Sequence, residues 1–281
     1  MDTKTLCSTH SPRKEESYKT IKKGGGTIMN SYIDKVLEER RKSSFFSTEE
    51  QRYTLKPINK QLDNLHKNFP HLKTGEVLEY ANANKLILPE GVEGLIVVPK
   101  LEKIDDSYVQ ALNKTFHWIG RISSFRNDCW IKLNPAHLRL SNRTNEKLQE
   151  LAENQKNLKS DYLLVPVTLG PFYWSEYLSV AIVRKTYKEE EFGLGSLQIL
   201  WILLAHLEWF NKKDKEAWLL VWCPADEYSF RGVFEKKRVK HALSTTYLKV
   251  SPNHNEISFG ASHISTFGTG YSFPSGFVFK L

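Results

Sequence analysis

The stretch Gly195–Phe210 reads as a helix, and inside it the run Ile199–Ala205, with Trp201 and Leu207, is apolar on nearly every side. A helix with one apolar stripe can lie on a surface, but one that is apolar all round has to be enclosed. The run is far shorter than the roughly 18 apolar residues that cross a bilayer, so the enclosing medium must be protein. The rest of the chain is therefore expected to build layers around a central helix. Attachment of Trp201, Trp209 and Phe210 to a membrane surface beside Lys212-Lys213 is the weaker reading, and a membrane partner is not expected.

Strands and helices to supply those layers can be picked out. Val92–Val98 reads as a buried strand between Gly91 and Pro99, and Asp105–Trp118 as a helix with Tyr108, Val109, Leu112 and Phe116 inward. Asn142–Gln155 is a surface helix with Asn142 or Thr144 as its cap, and Tyr162–Leu169 is a second strand. Ser175–Lys188 and Gly195–Phe210 are read as a helical hairpin joined at Phe192-Gly-Leu-Gly195. Ala217–Cys223 is a third strand, halted by Pro224. Short strands follow at Thr245–Val250, Glu256–Gly260 and Gly276–Lys280. No repeat period emerges. The fold class expected is α+β, a mixed sheet packed with helices, with the hairpin at about 175–210 set between two strands.

Ahead of this body lie helical patterns: Tyr32–Lys42 behind Ser31, a capping box at Ser47 and Glu50, and Ile58, Leu62, Leu65 and Phe69 at helical spacing up to Pro70. Thr74-Gly-Glu-Val77 opens another helix through about Asn82. The expected organisation is a disordered leader over 1–28, a helical lead-in over 29–75 and a single α+β domain over 76–281. The purine-rich codons implied by Lys22-Lys23-Gly24-Gly25-Gly26, two codons before Met29, resemble a ribosome-binding site. Met29 is thus expected as an alternative start.

Charge follows the same division. The chain of 281 residues carries a formal +8 from 40 Lys+Arg and 32 Asp+Glu. Residues 1–28 and 29–75 hold +3 each and the remaining 206 only +2, whereas 22 of the 34 aromatics follow Ser160. A basic excess points to polyanions when it forms a stripe on a folded face, which a diffuse excess at the front of a chain does not provide. Two clusters in the body could still meet nucleic acid. Phe116 to Lys132 interleaves aromatics with Arg121 and Arg126, and Lys236-Lys237-Arg238 with Lys240 is the densest basic run. Core packing and a charged strand edge are the plainer uses of these residues.

Motifs for chemistry mostly fail. Phe192-Gly-Leu-Gly195 lacks the third glycine of a dinucleotide loop and follows a helix, so close packing in a turn explains it better. His206-Leu-Glu208 with Cys223 offers one cysteine where a zinc deaminase needs two, and His206 reads as a core histidine with its nitrogens satisfied. The cysteines at 7, 129 and 223 have no paired ligand spacing, no metal site is read from the chain, and no cofactor is called for. Three cysteines and no signal peptide fit a soluble cytoplasmic protein. The best catalytic candidate is Asp226 with Glu227, at the expected end of a hydrophobic strand and near Arg231, joined by His263 from the C-terminal strands. An Asp/Glu turn paired with arginine is the alternative.

The strings Asp161-Tyr-Leu-Leu-Val-Pro166, Glu191-Phe-Gly-Leu-Gly195, Leu203-Leu-Ala-His206 and Cys223-Pro-Ala-Asp226-Glu227 together resemble an uncharacterised family of bacterial proteins, over about Asp161–Leu281. That resemblance implies a bacterial origin and, since the family has no assigned activity, lends no catalytic residues. The function expected is a non-catalytic binding or interaction protein with a protein partner. The alternatives are a nucleic-acid-associated protein and an enzyme built on Asp226, Glu227 and His263.

Overall fold

The computed structural model describes residues 55–83, 88, 92–123, 137–169, 179–210, 219–229, 244–251, 256–265, 271–272 and 274–279. Contacts divide the chain into two compact units, Met1–Ser43 and Ser44–Leu281, and every described residue belongs to the second. The leader 1–28, the helix expected at Tyr32–Lys42, the capping box at Ser47 and Glu50, Arg126, Arg231 and the Lys236–Lys240 run lie outside the described residues, as does the side chain of Arg121.

In chain order the helices are α1 (Ile58–Asn68), α2 (Val77–Ala83), α3 (Leu101–Ile104), α4 (Tyr108–Ser123), α5 (Asn142–Asn154), α6 (Val180–Thr186) and α7 (Ser196–Ala205). The strands are β1 (Gly94–Pro99), β2 (Leu138–Leu140), β3 (Tyr162–Thr168), β4 (Glu191–Gly193), β5 (Leu219–Tyr228), β6 (Ser244–Ser251), β7 (Glu256–His263), β8 (Tyr271–Ser272) and β9 (Ser275–Phe277). They form two sheets. One runs β1-β3-β9-β4 and is antiparallel throughout. The other runs β2-β5-β6-β7, also antiparallel, with β8 added parallel to β5. This is an α+β architecture.

Helix α7 is the apolar helix from which the sequence argument began, and every one of its ten residues is buried. It packs against β1 of the first sheet, β5 and β6 of the second, and helices α1 and α4. Protein therefore encloses it on all sides, as its apolar circumference demands. The helix from Ile58 contributes Leu62 and Leu65 to the same core, where Phe69 stacks edge-on against Trp118 at 4.5 Å between ring centres. No helix among the described residues is long and apolar enough to cross a membrane.

Several elements differ from the sequence reading, each for a local reason. The connection between α6 and α7 is not a bare hairpin turn. Glu191–Gly193 pairs with β9 as a strand, because Phe192 and its neighbours are buried and their backbone groups need partners. The preceding helix begins at Val180 rather than Ser175, after an extended Ser179. Helix α4 begins at Tyr108 rather than Asp105, which is extended at φ −166° and caps the one-turn α3 instead. The cap of α5 is Ser141, whose hydroxyl accepts from the Thr144 amide, rather than Asn142 or Thr144. Pro224 does not halt β5, which continues to Tyr228. The register with β6 slips between Cys223 and Tyr228, and that irregularity spares the ladder a bond that proline cannot donate.

Two buried glutamines close backbone groups that the first sheet leaves open. Val97 and Leu164 face each other across β1 and β3 as a pair whose N–H and C=O groups point outward. On the β1 side, Gln61 of α1 accepts from Val97 N at 2.9 Å and donates to Leu95 O at 2.9 Å. On the β3 side, beyond the end of β9, Gln155 accepts from Leu164 N at 2.8 Å and donates to Leu164 O at 2.7 Å. Each side chain supplies a donor and an acceptor where a further strand would have done so.

Candidate functional site

Continuation of β5 past Pro224 decides what Asp226 can do. Instead of ending in a loop, the residue is inside the second sheet, with Leu140 of β2 opposite it, and it is completely buried. Its carboxyl receives the Tyr108 hydroxyl from the start of α4 at 2.6 Å and the Ser196 amide from the start of α7 at 3.2 Å to each oxygen. The hydroxyls of Ser196 and of Thr246 on β6 donate to it as well. A helix N-terminus carries unsatisfied amides and a positive partial charge, so it is a favourable neighbour for an acid. Burial nevertheless outweighs the donors and raises the Asp226 pKa above the ordinary carboxyl range.

Four elements therefore meet at one acid. Gly195 is the close approach that makes this possible: a Cβ there would stand 2.5 Å from the Tyr108 hydroxyl and 2.6 Å from Asp226 Oδ1. The second glycine of Phe192-Gly-Leu-Gly195 thus makes room for a protein carboxyl. Arg184 of α6 adds a further tie by donating to the carbonyls of Pro224 at 2.7 Å and Asp226 at 2.8 Å. Cys223 is buried beside the cluster as a free thiol, and burial, with the Asp226 charge second, raises its pKa. That keeps it from being a thiolate nucleophile.

The other two catalytic candidates take separate partners. Glu227, next along β5, pairs across the strands with Arg139 of β2 at 2.7 Å. His263 is exposed at the end of β7, where its Nδ1 lies 2.5 Å from the Ser265 hydroxyl and accepts from the Ser265 amide at 3.2 Å. Asp226, Glu227 and His263 share no hydrogen bond or ion pair among the described residues. No group of three or more His, Cys, Asp or Glu placed to hold a metal occurs among those residues either. His206 is buried, its Nε2 accepting from the Lys56 amide at 2.9 Å and its Nδ1 lying 2.7 Å from the Ile202 carbonyl oxygen.

A cleft of about 280 Å³ opens next to the Asp226 cluster, where β1 ends and the chain turns through α3 into α4, facing α5. Its apolar wall comes from Val98, Leu101, Leu140, Leu148, Leu163 and Trp201. Polar groups join them from the turn after β1 (Lys100, Glu102, Asp105, Asp106) and from α5 (Asn145, Gln149). The first turn of α7 serves both places: Ser196 faces Asp226 and Gln198 lines the cleft. Sequence reasoning passed over this cleft. The rule that drew attention to β5, that functional groups gather where strands end, applies equally to Lys100–Asp106 after Pro99.

Comparison with protein-family models, curated proteins and solved structures found no match for the chain.

Proposed function

We propose that this protein is a non-catalytic binding module of a bacterial cytoplasm, and that it recognises a small molecule in the cleft between the β1–α4 turn and α5. The observation that carries this reading is the make-up of the cleft: an apolar wall that includes a tryptophan, a polar rim, and one buried amide, Gln198, at its base. Small-molecule sites have this composition, with apolar surface providing affinity and a few placed polar groups providing orientation. The acid with the most perturbed setting, Asp226, is sealed from solvent and committed to donors from three other elements, which suits a structural tie better than proton transfer to a substrate. A buried free thiol at Cys223 accords with a reducing compartment.

The test is a fragment screen read by amide and indole chemical shifts. Binders should shift the Trp201 indole N–H, which donates to Thr115 at 3.2 Å, together with the Gln198 side-chain amide. Gln149→Trp, placed on the exposed lip, should abolish those shifts while leaving the fold intact. Fragment shifts that map elsewhere, or that persist in Gln149→Trp, would remove the cleft from consideration.

A further inference from the structure

The charges and donors in the cleft are specific enough to name a ligand class, an inference that rests on the cleft being the binding site. One charged side chain of the cleft and one beside it are already neutralised. Asp105 is held by Lys114 at 2.8 Å and by the Ser107 amide at 3.1 Å, and these contacts lower its pKa. Lys103 pairs with Asp161 at 3.2 Å. Lys100, Glu102 and Asp106, by contrast, take no ion-pair partner among the described residues, and all three line the cleft. One cation and two carboxylates, left over after their neighbours have paired, face one small space.

Gln198 adds a directional group. Its Oε1 accepts from the Gly195 amide at 3.0 Å, and only the carbonyl end of a side-chain amide can do that, so the assignment of oxygen and nitrogen is fixed by the backbone. The Nε2 end takes no hydrogen bond among the described residues, on a residue only 2 % exposed that lines the cleft. A ligand oxygen placed in the cleft would accept from it. Beside it, Trp201 and Leu148 offer apolar surface.

We infer that the cleft binds a small zwitterion with an apolar side chain, a free amino acid or a dipeptide. Its carboxylate or carbonyl oxygen meets Gln198 Nε2 and Lys100, its ammonium meets Asp106 and Glu102, and its side chain lies against Trp201 and Leu148. The volume of about 280 Å³ is on the scale of a small-molecule site.

The experiment is calorimetric titration of the intact chain with leucine and leucyl-leucine, alongside isopentylamine, 4-methylpentanoate and N-acetyl-leucine amide. Leucine or leucyl-leucine should bind about tenfold or more tighter than each single-charge or neutral analogue, the amount a charged hydrogen bond is worth. Which of the two binds tighter separates amino acid from dipeptide. Lys100→Met should weaken only the carboxylate-bearing probes, and Asp106→Asn only the ammonium-bearing ones. Equal binding of the neutral analogue, or no loss in either variant, would overturn the ligand class while fragment binding blocked by Gln149→Trp still upheld the cleft. Leucine binding undiminished in Gln149→Trp would overturn both.

Discussion

Asp226 shows how much of this fold depends on one side chain. Replacing it with alanine would strand the Tyr108 hydroxyl, the Ser196 amide and one of the hydroxyls of Ser196 and Thr246, which lie 2.8 Å apart and can still bond each other, in a volume that water does not reach. Each stranded group costs about 1–3 kcal/mol, so Asp226→Ala should lose at least about 3 kcal/mol in urea unfolding. Asp226→Asn keeps the shape and one acceptor and should lose about 1–2 kcal/mol. The two differ in a further way. A carboxyl whose folded pKa is raised contributes stability that is fully present below its ordinary value of 3.8 and is lost as pH rises through the folded value. The penalty of Asp226→Asn should therefore be larger at low pH than at neutral pH, and a penalty that grows with pH would contradict a raised Asp226. The sequence marked Asp226 as unusual because a carboxylate follows a hydrophobic run. It gave no sign that Tyr108, 118 residues earlier, and Ser196 would be its partners.

At the scale of elements, what could be read and what could not divide by where the partner lies. Apolar periodicity located α1, with Leu62 and Leu65 inward, and β3, buried along nearly its whole length, because such patterns record burial against anything apolar. The three-residue strands β2 and β4 carry no period long enough to notice, and they exist because a neighbouring strand pairs with them, β5 with β2 and β9 with β4, whereas β9 overlaps the strand expected at Gly276–Lys280. Gln61 and Gln155 were invisible for a related reason. On a helix otherwise rich in polar residues, or just past the end of one, they look solvated, yet their partners are backbone groups of β1 and β3, which have no side-chain signature. Gln61→Leu should leave Val97 N–H and Leu95 C=O unsatisfied and cost about 3 kcal/mol. Gln61→Glu keeps the acceptor for Val97 but turns oxygen toward two carbonyls, those of Lys56 and Leu95, so it should also destabilise. Hydrogen exchange is the direct measure: the Val97 amide should lose protection in Gln61→Leu while Ile257 in the second sheet changes little.

For the molecule as a whole, the central helix organises both the fold and its response to acid. Helix α7 ends at His206, and the ring binds that end to the chain entering α1: the Lys56 amide donates to Nε2, which is possible only for a neutral ring protonated on Nδ1 toward the Ile202 carbonyl. Among the described residues, Lys56 and Glu208 are the charged groups that bear on it. Desolvation is the largest influence, and it lowers the His206 pKa from 6.5 to about 4. A base depressed in this way gives stability that is present above pH 6.5 and lost as pH falls toward 4, because the unfolded chain takes up a proton that the folded chain refuses. That interval corresponds to about 3 kcal/mol. Asp226 has the opposite slope, and Asp161, held down by the Lys73 amide and Lys103, has the same slope as His206 but at lower pH. Unfolding free energy should therefore fall between pH 6.5 and 4, and His206→Gln, which can still accept from Lys56 and does not titrate, should remove most of that fall. If His206→Gln keeps the full pH dependence, the acid response belongs to other groups, and the neutral histidine at the end of α7 is not what sets it.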